Sequence, residues 1–296
     1  MIFLRSGFFT LIVFMVAFFS CKDAPKEQDN AFSVEINEKL DSTPAEPRAI
    51  FYHMLLPVEM AHLFDQVGAN YYPDILNPSD NLSRYDTPVK VALNLGVYGA
   101  DLSYVKMFQR KDHSVKYLSA IHSMSAELEI PGQYYDDLLD NLEEYVSNKD
   151  SLAKISVTLF KTVDEYLRST GNGSAAALIM MGGWVESLYI STQIYYNDQQ
   201  NIKLLEKIAE QKYSLNSLIS LMSNYHSEQE ITEYLLMLKN LRRSYDKFEI
   251  YYKVEDVDVD TINKKISASK YYINASPEQI LEISDKLAAL RERIIR

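Results

Sequence analysis

A single cysteine, Cys21, stands in the 296 residues, so the chain can form no intramolecular disulfide, no cysteine metal cage and no CxxC redox pair. Positive charge is also short. Thirty basic residues face 41 acidic ones for a net charge of -11, which becomes -12 once Arg5 leaves with the leader described below. A folded domain of that balance lacks the basic surface that phosphate binding requires, so nucleic acid and anionic membrane surfaces are excluded as its partners. Strong catalytic signatures are missing too. Gly171-Asn172-Gly173-Ser174-Ala175-Ala176 fits a GxGxxA pattern, but a helical pattern precedes it where a dinucleotide site needs a strand. Glu59 and His62 have the Glu-x-x-His spacing of di-iron bundles, yet no second such pair exists to complete a site. His113 and His122 stand nine residues apart, about 900° of helix rotation, and so face opposite sides. No metal, no cofactor and no catalytic residue is expected.

What remains is an ordinary globular composition, 47% hydrophobic and 24% charged, in a chain long enough to bury roughly three quarters of its unfolded surface. Met1 to Ser20 carries one basic residue and an apolar run from Phe8 to Phe19. At about twelve residues that run is short for a bilayer span and right for the apolar part of a secretory signal. With Ser20-Cys21 behind it, the segment resembles a bacterial lipoprotein signal peptide. The resemblance implies that 1–20 is removed and that Cys21 carries the lipid chains, of which at least two make a stable anchor. The alternative is an uncleaved membrane anchor. Residues 21–48 then read as the lipidated cysteine and a flexible tether, with an r.m.s. reach of roughly 30 Å. Lys22-Asp23-Ala24-Pro25-Lys26-Glu27 is loosely similar to the charged motif that sends Bacteroidota lipoproteins to the cell surface.

Residues 49–296 read as one all-α domain, a bundle of about nine helices with a short β-hairpin near 253–275. Two helices have no polar face and should be central. The first runs from Thr87, an N-cap, and Pro88, suited to the first helical position, to about Gln109. Val89, Val91, Leu93, Leu95, Val97, Leu102 and Val105 point all round it. Gly96 and Gly99 each cost roughly 1 kcal/mol of helix propensity relative to Ala, so close approach of another backbone is expected to offset the loss. The second runs from Ser174 to Asn197. Its small-residue row Gly183, Ser187 and Ser191 is expected to meet Ala92, Gly96 and Ala100. Around these lie amphipathic segments: Pro57–Val67 stopped by Gly68, Asp112 to about Glu129, Tyr134–Ser147, Ser151–Ser169, and Asn201–Ser223. A helix opened by a Ser227/Glu230 capping box should run to about Tyr252 as the longest of all, and Ser276-Pro277-Glu278-Gln279 opens the last.

The constellation that stands out is polar and lies on the two central helices. Asn94 and Asp101 are seven apart, on one face with Tyr98 between them; Glu186 and Gln193 repeat the spacing with Tyr189 beside them. Carboxylates on apolar helices must be paired, hydrogen-bonded or protonated. Three readings stay open: a buried network fixing helix register with Arg84 or a tyrosine hydroxyl as partner, a pocket for a small polar ligand, or an acid–base pair made of Asp101 and Glu186. The 22 tyrosines, many in doublets, are either a sugar-stacking surface or core-edge residues whose hydroxyls reach water.

Asn77-Pro78-Ser79-Asp80-Asn81, the run Leu93 to Tyr104 and Gly182-Gly183-Trp184-Val185-Glu186 together resemble a group of Bacteroidota lipoproteins of unknown function. The resemblance implies a helical fold and an outer-membrane lipoprotein facing periplasm or cell surface, without an assigned activity. The larger sugar-capturing lipoproteins of the same bacteria carry a helical-repeat signature that this chain lacks. The expected function is a non-enzymatic binding or interaction module, held to the membrane by lipid on Cys21, whose partner is an envelope protein or a small polar ligand. A hydrolase-type enzyme using Asp101 and Glu186, or a purely structural envelope spacer, are the alternatives.

Overall fold

The structure, a computed structural model, describes residues 32–35, 57–134, 136, 161–198, 201–262, 265–268 and 270–296. It is an all-α multi-helix bundle with a short hairpin. The expected helix 134–147 and most of 151–169 lie outside the described residues, although 161–169 is helical. The contacts divide the chain into two compact units, one made of 37–252 and 271–296, the other taking in 253–270 and the strand near 33.

In the helical unit, α1 (Pro57–Gln66), α2 (Pro88–Met107) and α3 (Lys111–Glu127) come first. After them come α4 (Gly173–Asn197), α5 (Ile202–Ser223), α6 (Gln229–Tyr245) and α7 (Pro277–Ile295). α4 packs on α5, α5 on α6, α6 on α7, and α7 returns to α4, closing a four-helix ring. α5 and α6 run antiparallel: a short turn joins Ser223 to Gln229, and Tyr245 Oη at the end of α6 donates to Ile208 O near the start of α5. The same holds for α6 and α7, where Arg293 meets Glu233 and Lys286 meets Asn240 O.

α2 lies against α4 outside that ring, with α1 and α3 packed on α2. No residue of α2 from Val89 onward is exposed, and none of α4 until Asn197. Glycine makes this approach possible. A Cβ on Gly96 would sit 2.0 Å from Ile179 O, and one on Gly182 would sit 1.9 Å from Leu93 O. Gly183 is at the contact as expected, its N 2.7 Å from the same hypothetical Gly96 Cβ. The partner of Leu93, however, is Gly182, one residue off the predicted row. Leu93 faces Gly182, and Gly96 lies against Ile179 and Gly183; farther along, Tyr104 near the end of α2 and Asp198 just after α4 both bond to Asn70 and Tyr72, so the two helices run in the same direction.

Caps confirm several expected boundaries. Thr87 accepts from Lys90 N and precedes Pro88; Ser276 and Gln279 close a full capping box; Gly68 and Gly171 take positive φ of 67° and 83° at turns. Two boundaries differ. α3 begins at Lys111 after Arg110 rather than being capped by Asp112. α6 begins at Gln229 with no side-chain cap and has 17 residues, fewer than α2, α4 or α5. Ser227 is spent in a turn, where Glu228 N bonds to Tyr225 O. The apolar spacing that suggests a helix to Tyr252 ends in a strand instead. β2 (Glu249–Tyr251) pairs antiparallel with β5 (Tyr272–Asn274) in this unit.

In the other unit the expected hairpin is present as β3 (Val257–Asp260) and β4 (Lys265–Ala268). A third strand, β1 (Phe32–Glu35), adds to β4 with Phe32 opposite Ala268. It falls inside the stretch read as tether. Phe32-Ser33-Val34-Glu35 alternates apolar and polar at the strand period, a signal four residues long that the polar composition around it conceals.

Candidate functional site

α2 presents Asn94, Tyr98 and Asp101, and α4 presents Glu186 and Tyr189. All but Tyr189 are buried, and Asn94, Asp101 and Glu186 are 0% exposed. The structure brings these five together. Gln193 is half-buried and stands outside the hydrogen-bonded set.

Two residues not anticipated as site members complete the cluster. From α7, Arg291 meets Glu186 side-on: Nε donates to Oε2 at 2.6 Å and Nη2 to Oε1 at 2.8 Å. The same Nη2 reaches Ile75 O at 3.0 Å, and the guanidinium carbon lies 4.2 Å from the centroid of the Tyr189 ring. This is the geometry in which an arginine–carboxylate pair is strongest. Arg84, the cation suggested by the sequence, is exposed, and Arg291 holds the place. Its signal was its position four residues after Leu287 and three before Ile294, on the inward row of an otherwise apolar face.

The second is Asn77, 0% exposed between two 3-10 turns, Pro73–Ile75 and Ser79–Arg84. Its N donates to Asp101 Oδ2 at 3.3 Å, its Nδ2 to Tyr85 Oη at 2.8 Å and to Asn94 Oδ1 at 3.4 Å. Asn81 Nδ2 donates to its Oδ1, and Tyr117 Oη donates to its carbonyl at 2.9 Å. Tyr98 Oη takes the next carbonyl, Pro78 O, at 3.0 Å. The rings of Tyr85, Tyr98 and Tyr117 stand edge to face, centroids 6.1 and 5.6 Å apart. A loop can enter a core only when its backbone groups are met, and these tyrosines meet them. Asn94 does the same for α7: its Nδ2 donates to Ile294 O at 2.8 Å, one of the carbonyls a helix end leaves without a partner.

One cation serves two carboxyl groups. Burial, and next the negative charge of Glu186, hold Asp101 well above the usual carboxylate range, with Arg291 and the Asn77 amide opposing. Asp101 Oδ1 receives no hydrogen bond. An ionised carboxylate would leave that oxygen bare in the core, whereas a protonated one carries its proton there and donates it toward Glu186. We therefore read the triad as Asp101 neutral, Glu186 and Arg291 charged, and the whole electroneutral.

The tyrosines near α1 form a second cluster around Tyr71. Tyr104 stacks on it at 5.6 Å, and the Arg110 guanidinium covers it at 4.8 Å. Its hydroxyl bonds to His113 Nδ1 at 2.8 Å. Tyr72 Oη and the Asn70 side chain both bond to Asp198. Among the described residues no group of three or more His, Cys, Asp or Glu is placed to hold a metal ion, and no helix is long and apolar enough to cross a membrane. No family model, curated protein or solved structure matches the chain.

Proposed function

We propose that the chain is a lipid-anchored envelope protein of the outer membrane that works by binding, not by catalysis. The anchor rests on the sequence: Cys21, the single cysteine, directly follows the apolar run Phe8–Phe19 and Ser20. The observation that favours binding elsewhere over chemistry in the central cluster is the bidentate Arg291–Glu186 pair, with Glu186 fully buried and Arg291 nearly so. Both Glu186 oxygens are occupied by the protein itself, and Asn94 and Asn77 are likewise spent on internal carbonyls, amides and hydroxyls. A nucleophile or base in that position would first have to break its own core. The hydrolase alternative has the electronic form of an acid–base pair, one carboxyl held neutral beside another, but needs access that 0% exposure denies.

The anchor is tested by expressing the full chain and its Cys21→Ala variant with a labelled fatty acid. Label in the parent and none in the variant, with the variant released from membranes or kept as an unprocessed precursor, is the expected result. Label retained by the variant rules the anchor out.

A further inference from the structure

The small unit that takes in 253–270 and the strand near 33 has a sheet whose two faces are opposite in character. In the order β1–β4–β3, Phe32 stands opposite Ala268 and Ala268 opposite Val257; two residues along, Val34 stands opposite Ile266 and Ile266 opposite Val259. Opposed residues share a face, and so do residues two apart along a strand. One face therefore takes six apolar positions. The rows between, Ser33 with Ser267 and Asp258, and Lys265 with its neighbours Glu35 and Asp260, fall on the other. An apolar sheet face needs a second layer against it. Among the described residues this unit supplies none, its helical content being the single turn Val254–Asp256. Val259 is 56% exposed, and Val254 and Ile262, in the turns at the two ends of β3, are each 90% exposed, more than any other large apolar side chain among the described residues.

The size of this patch, its charge and its distance from Cys21 identify what covers it. Three strands of four residues offer roughly 200 Å² on one face, against ~800 Å² per partner in a stable protein–protein interface. A second copy would find too little to hold, whereas a lipid surface needs no matching patch. Residues 253–270 balance four lysines against four acidic residues, so net charge neither drives nor opposes the contact. Cys21 stands eleven residues before Phe32, and eleven residues reach at most ~40 Å. A lipidated Cys21 thus keeps β1 near the bilayer, at an effective concentration that makes a small apolar patch sufficient.

We propose that the apolar face of the β1–β4–β3 sheet docks on the lipid surface that holds Cys21, with Val259 and Ile262 entering the boundary between headgroups and acyl chains and Asp258 turned to water. The proposal rests on the lipid anchor at Cys21. The contact is peripheral, and the surface it fits is one whose headgroups carry no net charge.

The test uses the chain from Cys21 onward, coupled through that cysteine to a maleimide phospholipid in phosphatidylcholine vesicles, with and without bromine on the acyl chains. The coupling supplies the anchor chemically. Val259→Trp and Asp258→Trp set the same ring at adjacent exposed positions on opposite faces, and the buried Trp184 is a background that the parent chain subtracts. Bromine quenches on near contact and a docked face enters roughly 5–10 Å, so Val259→Trp should be quenched at least about threefold more than Asp258→Trp, with Ile262→Trp following Val259→Trp. Equal quenching at the two faces would mean that the tether alone holds the sheet near the lipid. Absence of quenching at Val259→Trp would mean that water or another copy covers the face. Either result overturns the docking. It fails separately from the anchor: a Cys21 that takes no fatty acid in cells leaves the quenching of the coupled chain unchanged, and equal quenching leaves the fatty-acid label in place.

Discussion

The electroneutral triad predicts that Asp101 and Glu186 can exchange roles, which a double-mutant cycle measures directly. Asp101→Asn replaces a neutral acid by a neutral amide of the same shape and should change stability by less than ~1 kcal/mol at pH 7. Glu186→Gln removes the counter-charge of Arg291. It also removes the neighbouring charge that holds Asp101 up, so Asp101 ionises and takes over the arginine from a poorer position. The expected loss is ~1–2 kcal/mol, that of a weakened charge-assisted hydrogen bond. In the double variant Arg291 is left buried with no anion, only neutral partners such as Ile75 O and the Tyr189 ring. An unpaired buried charge of that kind costs ~3–5 kcal/mol. The double loss should thus exceed the sum of the single losses by about 1–2 kcal/mol, well above the ~0.3–0.5 kcal/mol within which independent sites add. Urea unfolding followed by far-ultraviolet circular dichroism gives all four values. Additive losses, or a Glu186→Gln variant already as unstable as the double, would refute the exchange.

The same triad fixes the sign of a pH effect. Asp101 is raised in the folded state, so its contribution to stability is complete below the unfolded value near ~3.9 and declines as pH climbs toward the folded value. Within that window the parent loses up to ~1.4 kcal/mol per pH unit from this group. Asp101→Asn has no such proton to take up. The gap between the two should move in the variant's favour as pH rises, and a parallel pair of stability curves would show that Asp101 is ionised in the fold.

The other expectations are local. Gly182→Ala and Gly96→Ala drive a methyl onto backbone oxygens of the facing helix; each should lose at least ~1–3 kcal/mol, the usual cost of overpacking, in urea unfolding. Gly99→Ala, in open space on the same helix, should instead gain ~1 kcal/mol of helix propensity. Ser276→Ala breaks the capping box of α7 and should lose ~1 kcal/mol, whereas Ser227→Ala, which removes no cap of α6, should stay within ~0.5 kcal/mol of the parent.

The sequence reveals the two central helices because their signal is local. Apolar residues all round α2 and α4, a threonine–proline start and glycines at close-approach spacing can each be read within twenty-five residues. The strands were harder for the same reason. β2 is three residues long, and Phe248 and Tyr252 on either side of it keep a helical spacing that the β5 partner, more than twenty residues on, overrides. The site divides the same way. Asn94, Tyr98, Asp101, Glu186 and Tyr189 are legible because polar groups on such helices demand an explanation. Their partners are not, because Arg291 lies 105 residues from Glu186 and the Ile294 carbonyl 200 from Asn94. Periodicity says which face of a helix is inward, but it does not say which inward face it meets. Asn77 was hidden differently: a row of turn formers reads as surface loop, and its burial depends on the hydroxyls of Tyr85 and Tyr117 and the side chains of Asn81, Asn94 and Asp101, with Tyr98 meeting the next carbonyl.

These contacts also explain why a polar cluster persists where an apolar one would pack. Glu186 and Arg291 belong to the ring of α4 to α7, Asn94, Tyr98 and Asp101 to α2, and Asn77 to the loop between α1 and α2. The glycine contacts set how near α2 comes to α4, but backbone against backbone resists sliding only weakly. The triad resists it strongly. A slip of α2 by one turn would carry Asp101 about 5.4 Å along the axis, stranding the Asn77 amide and Asp101 and pulling Asn94 from the end of α7. Each stranded buried group costs ~1–3 kcal/mol, and several at once exceed what any alternative apolar match along α2 would return. Apolar packing therefore brings the helices together, and the neutral triad selects the one register in which Asn77, Asn94, Glu186 and Arg291 are all hydrogen-bonded and the proton of Asp101 sits on Oδ1.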